Sequence, residues 1–197
     1  MIKRQLEEVI SKNQKDGFIN IIYGSRRVGK TVLINSLVSD IPLKDVLILN
    51  GDHKEAREIL SDTSEANLSK LTEKYKVIVI DEAQRIPNIG LSLKILIDKY
   101  PEKTFYVSGS SSLSLAKGIK ESLTGRYQKY KLYSLSTVEI TKDIPDHKKP
   151  ALLPEQLIYG GYPYLLQLEN DEDKKNYLKS IIDDYLFNDI KDLKKII

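Results

Sequence analysis

The stretch Gly24-Ser25-Arg26-Arg27-Val28-Gly29-Lys30-Thr31 sets two glycines, a lysine and a hydroxyl at the spacing G-x-x-x-x-G-K-[ST], at which a backbone curls around phosphate. Glycine lets successive amides turn inward, and the positive end of the helix that follows adds to the anion site. Lys30 is expected to reach the β and γ phosphates. The Thr31 hydroxyl is expected to ligate magnesium, so the cofactors implied are ATP and Mg2+. Val32 continues the same nucleotide-binding stretch. A chance glycine-rich turn is the bland alternative, and the flanking strand and helix patterns argue against it.

Asp81-Glu82 follows the apolar run Val77-Ile-Val-Ile80, which puts both acids at the carboxyl end of a strand, where open α/β sheets place ligands. Asp81 is expected to hold the metal and Glu82 to polarise an attacking water, the step that makes a nucleotide binder a hydrolase. Without the phosphate loop the pair would read as a surface cap on the next turn. No Asn-Lys-x-Asp element for reading guanine occurs.

Further polar groups are candidates rather than assignments. In Val107-Ser-Gly-Ser-Ser-Ser112, Ser110 is the favoured contact to the γ phosphate or the water, with Ser108 second; a plain turn and helix cap is the alternative. Arg126, in Leu123-Thr-Gly-Arg126, is a candidate arginine finger acting within the chain or on a neighbour's nucleotide. Arg85, Arg26 and Arg27 are weaker candidates for that role. Tyr159-Gly-Gly-Tyr-Pro163 makes a sharp turn from which a lid helix could start, with Tyr162 near the base, although any one of 12 tyrosines is more often packing. His53 and His147 stand apart, without ligand-like spacing.

Positioning these groups requires strands alternating with helices. Short apolar, β-branched runs at 18–23, 46–49, 76–80 and 104–107, with a fifth at 127–132, are separated by helical spacing at 30–39, 54–60, 65–74 and 89–100 and a short helix around 112–117. An amphipathic helix over 1–15 precedes them. Continuously apolar strands joined by helices imply a parallel sheet covered on both faces. The expected fold is α/β: a three-layer P-loop NTPase sandwich with a mainly parallel five-stranded sheet over 1–142. A polar, proline-bounded linker over 143–153 then leads to a helical lid over 154–197, whose apolar stripe from Leu178 to Leu193 reads as the start of a truncated carboxyl-terminal region.

The 197 residues, 41% hydrophobic, can bury one substantial core. The absence of cysteine removes disulfides and thiolate sites and fits a reducing compartment. The amino terminus lacks a signal-type apolar core, and no apolar run approaches the roughly 20 residues of a membrane span. A cytoplasmic protein with no membrane partner is the expectation. Net charge is +3, from 31 basic and 28 acidic residues, so nucleic acid remains a possible partner that no global field indicates.

Taken in order, Gly-Ser-Arg-Arg-Val-Gly-Lys-Thr, Ile-Asp-Glu-Ala-Gln-Arg-Ile-Pro, Ser-Gly-Ser-Ser-Ser, Leu-Thr-Gly-Arg-Tyr and Tyr-Gly-Gly-Tyr-Pro resemble a bacterial and archaeal family of AAA-plus-type P-loop ATPases. The resemblance implies an ATPase core with a helical lid, Asp81 and Glu82 as the acidic pair, a polar sensor near Ser110 and Arg126 facing nucleotide. Such proteins usually continue into a nuclease-like or winged-helix domain, so the expectation is an engine or switch without its output. Two functions follow from these readings: ATP hydrolysis coupled to conformational change, or a nucleotide-gated interaction module with negligible hydrolysis, working with a homo-oligomer or a partner protein. A small-molecule kinase is a weaker third, since no acceptor site is recognisable.

Overall fold

The computed structural model describes residues 2–109 and 121–183. The expected helix around 112–117, Ser110, and the apolar stripe beyond residue 183 lie outside them. Clustering of contacts divides the chain into two units. A sheet unit comprises 5–25 and 30–132, and a helical unit comprises 1–4, 26–29 and 133–197.

In the sheet unit, α1 (Gln5–Asn13), β1 (Ile19–Tyr23), α2 (Lys30–Leu37), β2 (Val46–Asn50), α3 (Lys54–Ser61), α4 (Glu65–Thr72), β3 (Val77–Asp81), α5 (Ile89–Lys99), β4 (Thr104–Gly109) and β5 (Tyr127–Lys131) follow one another. The five strands form one sheet in the order β2-β3-β4-β1-β5, with every pairing parallel. The expectation of a mainly parallel sheet is thus met by a wholly parallel one. The middle strands are apolar because helices cover them: β3 is buried along its whole length, and Ile19, Ile21, Ile22, Phe105 and Val107 are buried with it. The two edges differ, since β5 reads Tyr-Gln-Lys-Tyr-Lys and Ile48 of β2 is half exposed, polar or open edges being what an unpaired strand tolerates.

The helices fall into two packed groups, α1 with α2 and α3 with α4 and α5, as a sheet covered on both faces requires. Helix α5 buries Ile89, Leu93, Leu96 and Ile97, the spacing of one helical face. Together with Leu60, Leu68, Ile78, Ile80 and Phe105 they form the main core cluster. Because all strands run the same way, their carboxyl ends share one edge of the sheet. Strand β4 lies between β1, which feeds the phosphate loop, and β3, which ends in Asp81.

In the helical unit, Ser136 and Glu139 cap α6 (Thr137–Thr141) reciprocally: Glu139 N–H donates to Ser136 Oγ at 3.2 Å, and Ser136 N–H donates to Glu139 Oε2 at 2.9 Å. Residues Asp146–Leu152, within the stretch expected to be a linker, form a 3-10 turn that runs into α7 (Leu153–Tyr159). Gly160, at φ +80°, ends α7. After a 3-10 turn at Pro163–Gln167, α8 (Asp171–Ile181) starts on Asn170, whose Oδ1 accepts from Asp173 N–H at 2.8 Å, with three acids in its first turn. Among the described residues no helix is long and apolar enough to cross a membrane.

Candidate functional site

Asp81 is the hub of the sheet unit. Its carboxylate is buried at the end of β3, and a buried charge persists only where hydrogen bonds replace water. Three groups supply them here. Thr31 Oγ1 donates to Oδ2 at 2.6 Å, the Glu82 backbone N–H donates to Oδ1 at 3.0 Å, and Ser108 Oγ donates to the same Oδ1. The expected metal pair, Thr31 and Asp81, is therefore in direct contact. Hydroxyl and carboxylate oxygens are the donors that a hard cation such as Mg2+ takes, so these residues fit that ion.

Lys30, the first residue of α2, is buried and donates from Nζ to the carbonyls of Gly24 at 3.0 Å and Ser25 at 2.9 Å. The ammonium is held against the backbone of its own loop, so the positive charge sits where the loop begins. Val32, two residues along, is half exposed.

Glu82 has left-handed backbone angles, φ 49° and ψ 40°, uncommon for a residue with a side chain. Its surroundings enforce them. Gly51, just after β2, donates its N–H to the Asp81 carbonyl at 2.9 Å, and a Cβ on Gly51 would lie 2.4 Å from the Glu82 carbonyl oxygen. Arg57 fixes this approach by donating from Nη1 to the Gly51 and Asp52 carbonyls at 2.8 and 2.7 Å. The Glu82 side chain is gripped as well, because Gln84 Nε2 donates to its Oε2 at 2.5 Å. Sequence reasoning passed over Gly51, Arg57 and Gln84; a glycine directly after an apolar strand run was the available signal.

Ser108, the second choice among the serines, belongs to the Asp81 network. Arg126 is elsewhere in the unit. It precedes β5, where its carbonyl accepts from Ile19 N–H at 3.0 Å, at the amino-terminal edge of the sheet, and its half-exposed guanidinium pairs with Asp98 of α5. Arg85, half exposed, pairs through Nε with Asp52 at 2.7 Å.

The tip of the phosphate loop, residues 26–29, clusters with the helical unit. Arg27 takes φ +62° and Gly29 φ +95°, the positive values that turn the chain sharply. Arg4 holds this tip. Its buried guanidinium donates to the Val28 carbonyl at 2.9 Å, to the Tyr133 carbonyl at 2.6 Å and from Nε to Glu139 Oε1 at 3.0 Å. Sequence reasoning had no role for Arg4 or Glu139, because nothing local marks a pair 135 residues apart.

In the Gly-Gly-Tyr-Pro turn, Leu135 N–H donates to the Gly161 carbonyl at 2.7 Å, and a Cβ on Gly161 would meet the Leu135 carbonyl oxygen at 2.1 Å. Only glycine fits. Pro163 reaches the space beside Gly29. Tyr162 packs edge-on to Tyr177 of α8 at 6.4 Å between centroids, Tyr164 lies 4.9 Å from the same ring, and the Arg27 guanidinium sits 5.6 Å from it. Burial pushes the Tyr177 phenol pKa up, while the neighbouring Arg27 charge pulls it back.

A phosphate loop leaving an interior strand of a parallel sheet, with a buried aspartate two strands away in contact with the loop threonine, defines a P-loop ATPase of the AAA-like type. The sequence pattern of the family described as the AAA domain matches residues 16–141, and the chain belongs to that family. It is 27% identical over 203 residues to an uncharacterized protein of Methanocaldococcus jannaschii, covering 96% of this chain and 45% of that protein. It is also 27% identical over 205 residues to an uncharacterized protein of Haemophilus influenzae, covering 96% of this chain and 50% of that one. The chain thus spans half or less of the length of these relatives. Among solved structures, a signal transduction ATPase with a tetratricopeptide repeat sensor from Pyrococcus horikoshii superposes with a TM-score of 0.55 at 14% identity, over 87% of this chain and 30% of that one. At that identity the likeness is one of fold.

Proposed function

We propose that this chain binds ATP with Mg2+ and hydrolyses it to ADP and phosphate, coupling turnover to conformational change. The observation that carries the reading is the Thr31–Asp81 contact with Glu82 next in the chain. Inward-facing amides of Gly24 to Thr31 and the Lys30 ammonium would hold the phosphates, and Thr31 and Asp81 would hold the metal. Bound there, magnesium would supply positive charge to offset that of the phosphates. Glu82 accepts a proton from the attacking water as the water oxygen bonds to the γ phosphorus and the bond to the β–γ bridging oxygen breaks, leaving ADP. Ser108 keeps the Asp81 carboxylate aimed. For the base we propose Tyr162, which shares a unit with the loop tip.

Arg126 lies at the opposite edge of the sheet from Asp81, so we assign its finger role to a neighbouring copy's nucleotide. Phosphate release measured with ATP and Mg2+ for wild type and Glu82→Gln tests the hydrolase reading. Wild-type release well above the variant supports it; equal background release in both rejects it.

A second reading, a nucleotide-gated interaction module, is favoured by the stacking of loop residue Arg27 on Tyr177 of α8, which ties a phosphate-loop side chain to a helix that a partner could read. Self-association or partner binding that is unchanged between ADP and a non-hydrolysable ATP analogue would reject it.

A further inference from the structure

The turn after β3 holds Glu82 by more than its backbone. Gln84 lies two residues on, in the 3-10 turn Ala83–Arg85, and its side-chain amide donates to Glu82 Oε2 at 2.5 Å. Both side chains are only partly exposed, so the bond is not fully diluted by water. A carboxylate presents about four lone-pair sites on two oxygens. An amide on Oε2 therefore restrains the orientation of the group while Oε1 remains to take a proton.

Two functions are compatible with such a bond: it could aim the carboxylate, or restrain it until ligand arrives. A restraint needs an element that moves. Here both ends are anchored in the same short turn. Ala83 and Ile86 are buried in the main core cluster, Arg85 N–H donates to the Glu82 carbonyl at 3.0 Å, Ile86 N–H donates to the Ala83 carbonyl at 3.1 Å, and Gly51 closes against the Glu82 carbonyl from the end of β2. The Cα positions of Glu82 and Gln84 are thereby fixed relative to one another. Ordering a glutamate carries a rotamer entropy cost, and a bond built into a rigid turn meets that cost before the reaction starts, which is how misalignment is avoided at a reacting group.

We propose that Gln84 is a positioning residue whose side-chain amide aims the Glu82 carboxylate at the attacking water. The proposal rests on the hydrolase reading for its consequence, and on the Glu82–Gln84 contact itself for its geometry.

The test has two readouts on the full chain. In single turnovers with protein in excess over Mg2+-ATP, Gln84→Met, which keeps length and loses the donor, is expected to slow cleavage by about 10- to 100-fold, the scale of a misplaced reacting group, with nucleotide affinity within about twofold of wild type. In a Glu82→Gln background the same change is expected to have no further effect, because Gln84 acts through Glu82. Wild-type or faster cleavage by Gln84→Met, or an equal slowing in both backgrounds, would overturn the proposal. The second readout needs no turnover. The Gln84 side-chain amide signal in a 1H–15N spectrum is expected to shift on Glu82→Ala, and an unmoved signal would also overturn the proposal. Should wild type release no more phosphate than Glu82→Gln, the hydrolase reading fails alone and the amide signal still decides the contact.

Discussion

At the carboxyl end of the sheet, Asp81 is held by Thr31, Ser108 and the amide of Glu82, each at a strand end or at the head of the helix a strand feeds. In the helical unit Arg4 ties together carbonyls and a carboxylate drawn from residues 28, 133 and 139. One region gathers its chemistry through the regular register of a parallel sheet. The other gathers it through a single long side chain whose partners are scattered along the sequence. The difference predicts how each responds to damage: the sheet region should lose function with its fold intact, whereas the helical region should lose stability first.

The largest expected stability effect is at Arg4. Arg4→Met leaves Glu139 buried without its cation, and breaking one side of a buried pair costs about 3–5 kcal/mol; urea unfolding measures it, and a loss under about 1 kcal/mol would place the pair among weak surface contacts. Gly161→Ala comes next. Its Cβ would need the Leu135 backbone to move, and overpacking of this kind costs about 1–3 kcal/mol or more, read as a lowered Tm. Ser108→Ala removes one donor from a buried carboxylate, a bond in the range of about 1.5–3 kcal/mol, and should weaken Mg2+-dependent nucleotide binding more than it lowers Tm. The smallest stability change belongs to Arg126→Ala, within about 1 kcal/mol because its pair with Asp98 is half exposed. If its finger role lies in a neighbour, a mixture of Arg126→Ala and Lys30→Ala chains should regain turnover that neither shows alone.

The same contrast explains what could be read from the amino acids. The phosphate loop and the Asp81-Glu82 pair are contiguous strings flanked by strands, and the parallel sheet follows from apolar runs alternating with helical spacing. The Ser108 contact with Asp81 was harder to foresee, since it depends on the β3–β4 register, in which Ile80 pairs with Val107. Arg126 could be found but not placed: its position relative to the acids depends on β5 running parallel to β1 beside it. Arg4 and Glu139 carry no local signature at all, because only the tertiary fold removes both from water. Gly161 read as a turn glycine and Gly51 was passed over, and the reason for both is a close backbone approach from a distant segment rather than a turn.

Titration of ATP into wild type and Lys30→Ala, with and without Mg2+, followed by calorimetry, tests the central claim that the loop and the Thr31–Asp81 contact form one metal-nucleotide site. The account predicts wild-type binding that tightens with Mg2+ and is lost or strongly weakened in Lys30→Ala. Affinity that is the same in both proteins and indifferent to Mg2+ would contradict it.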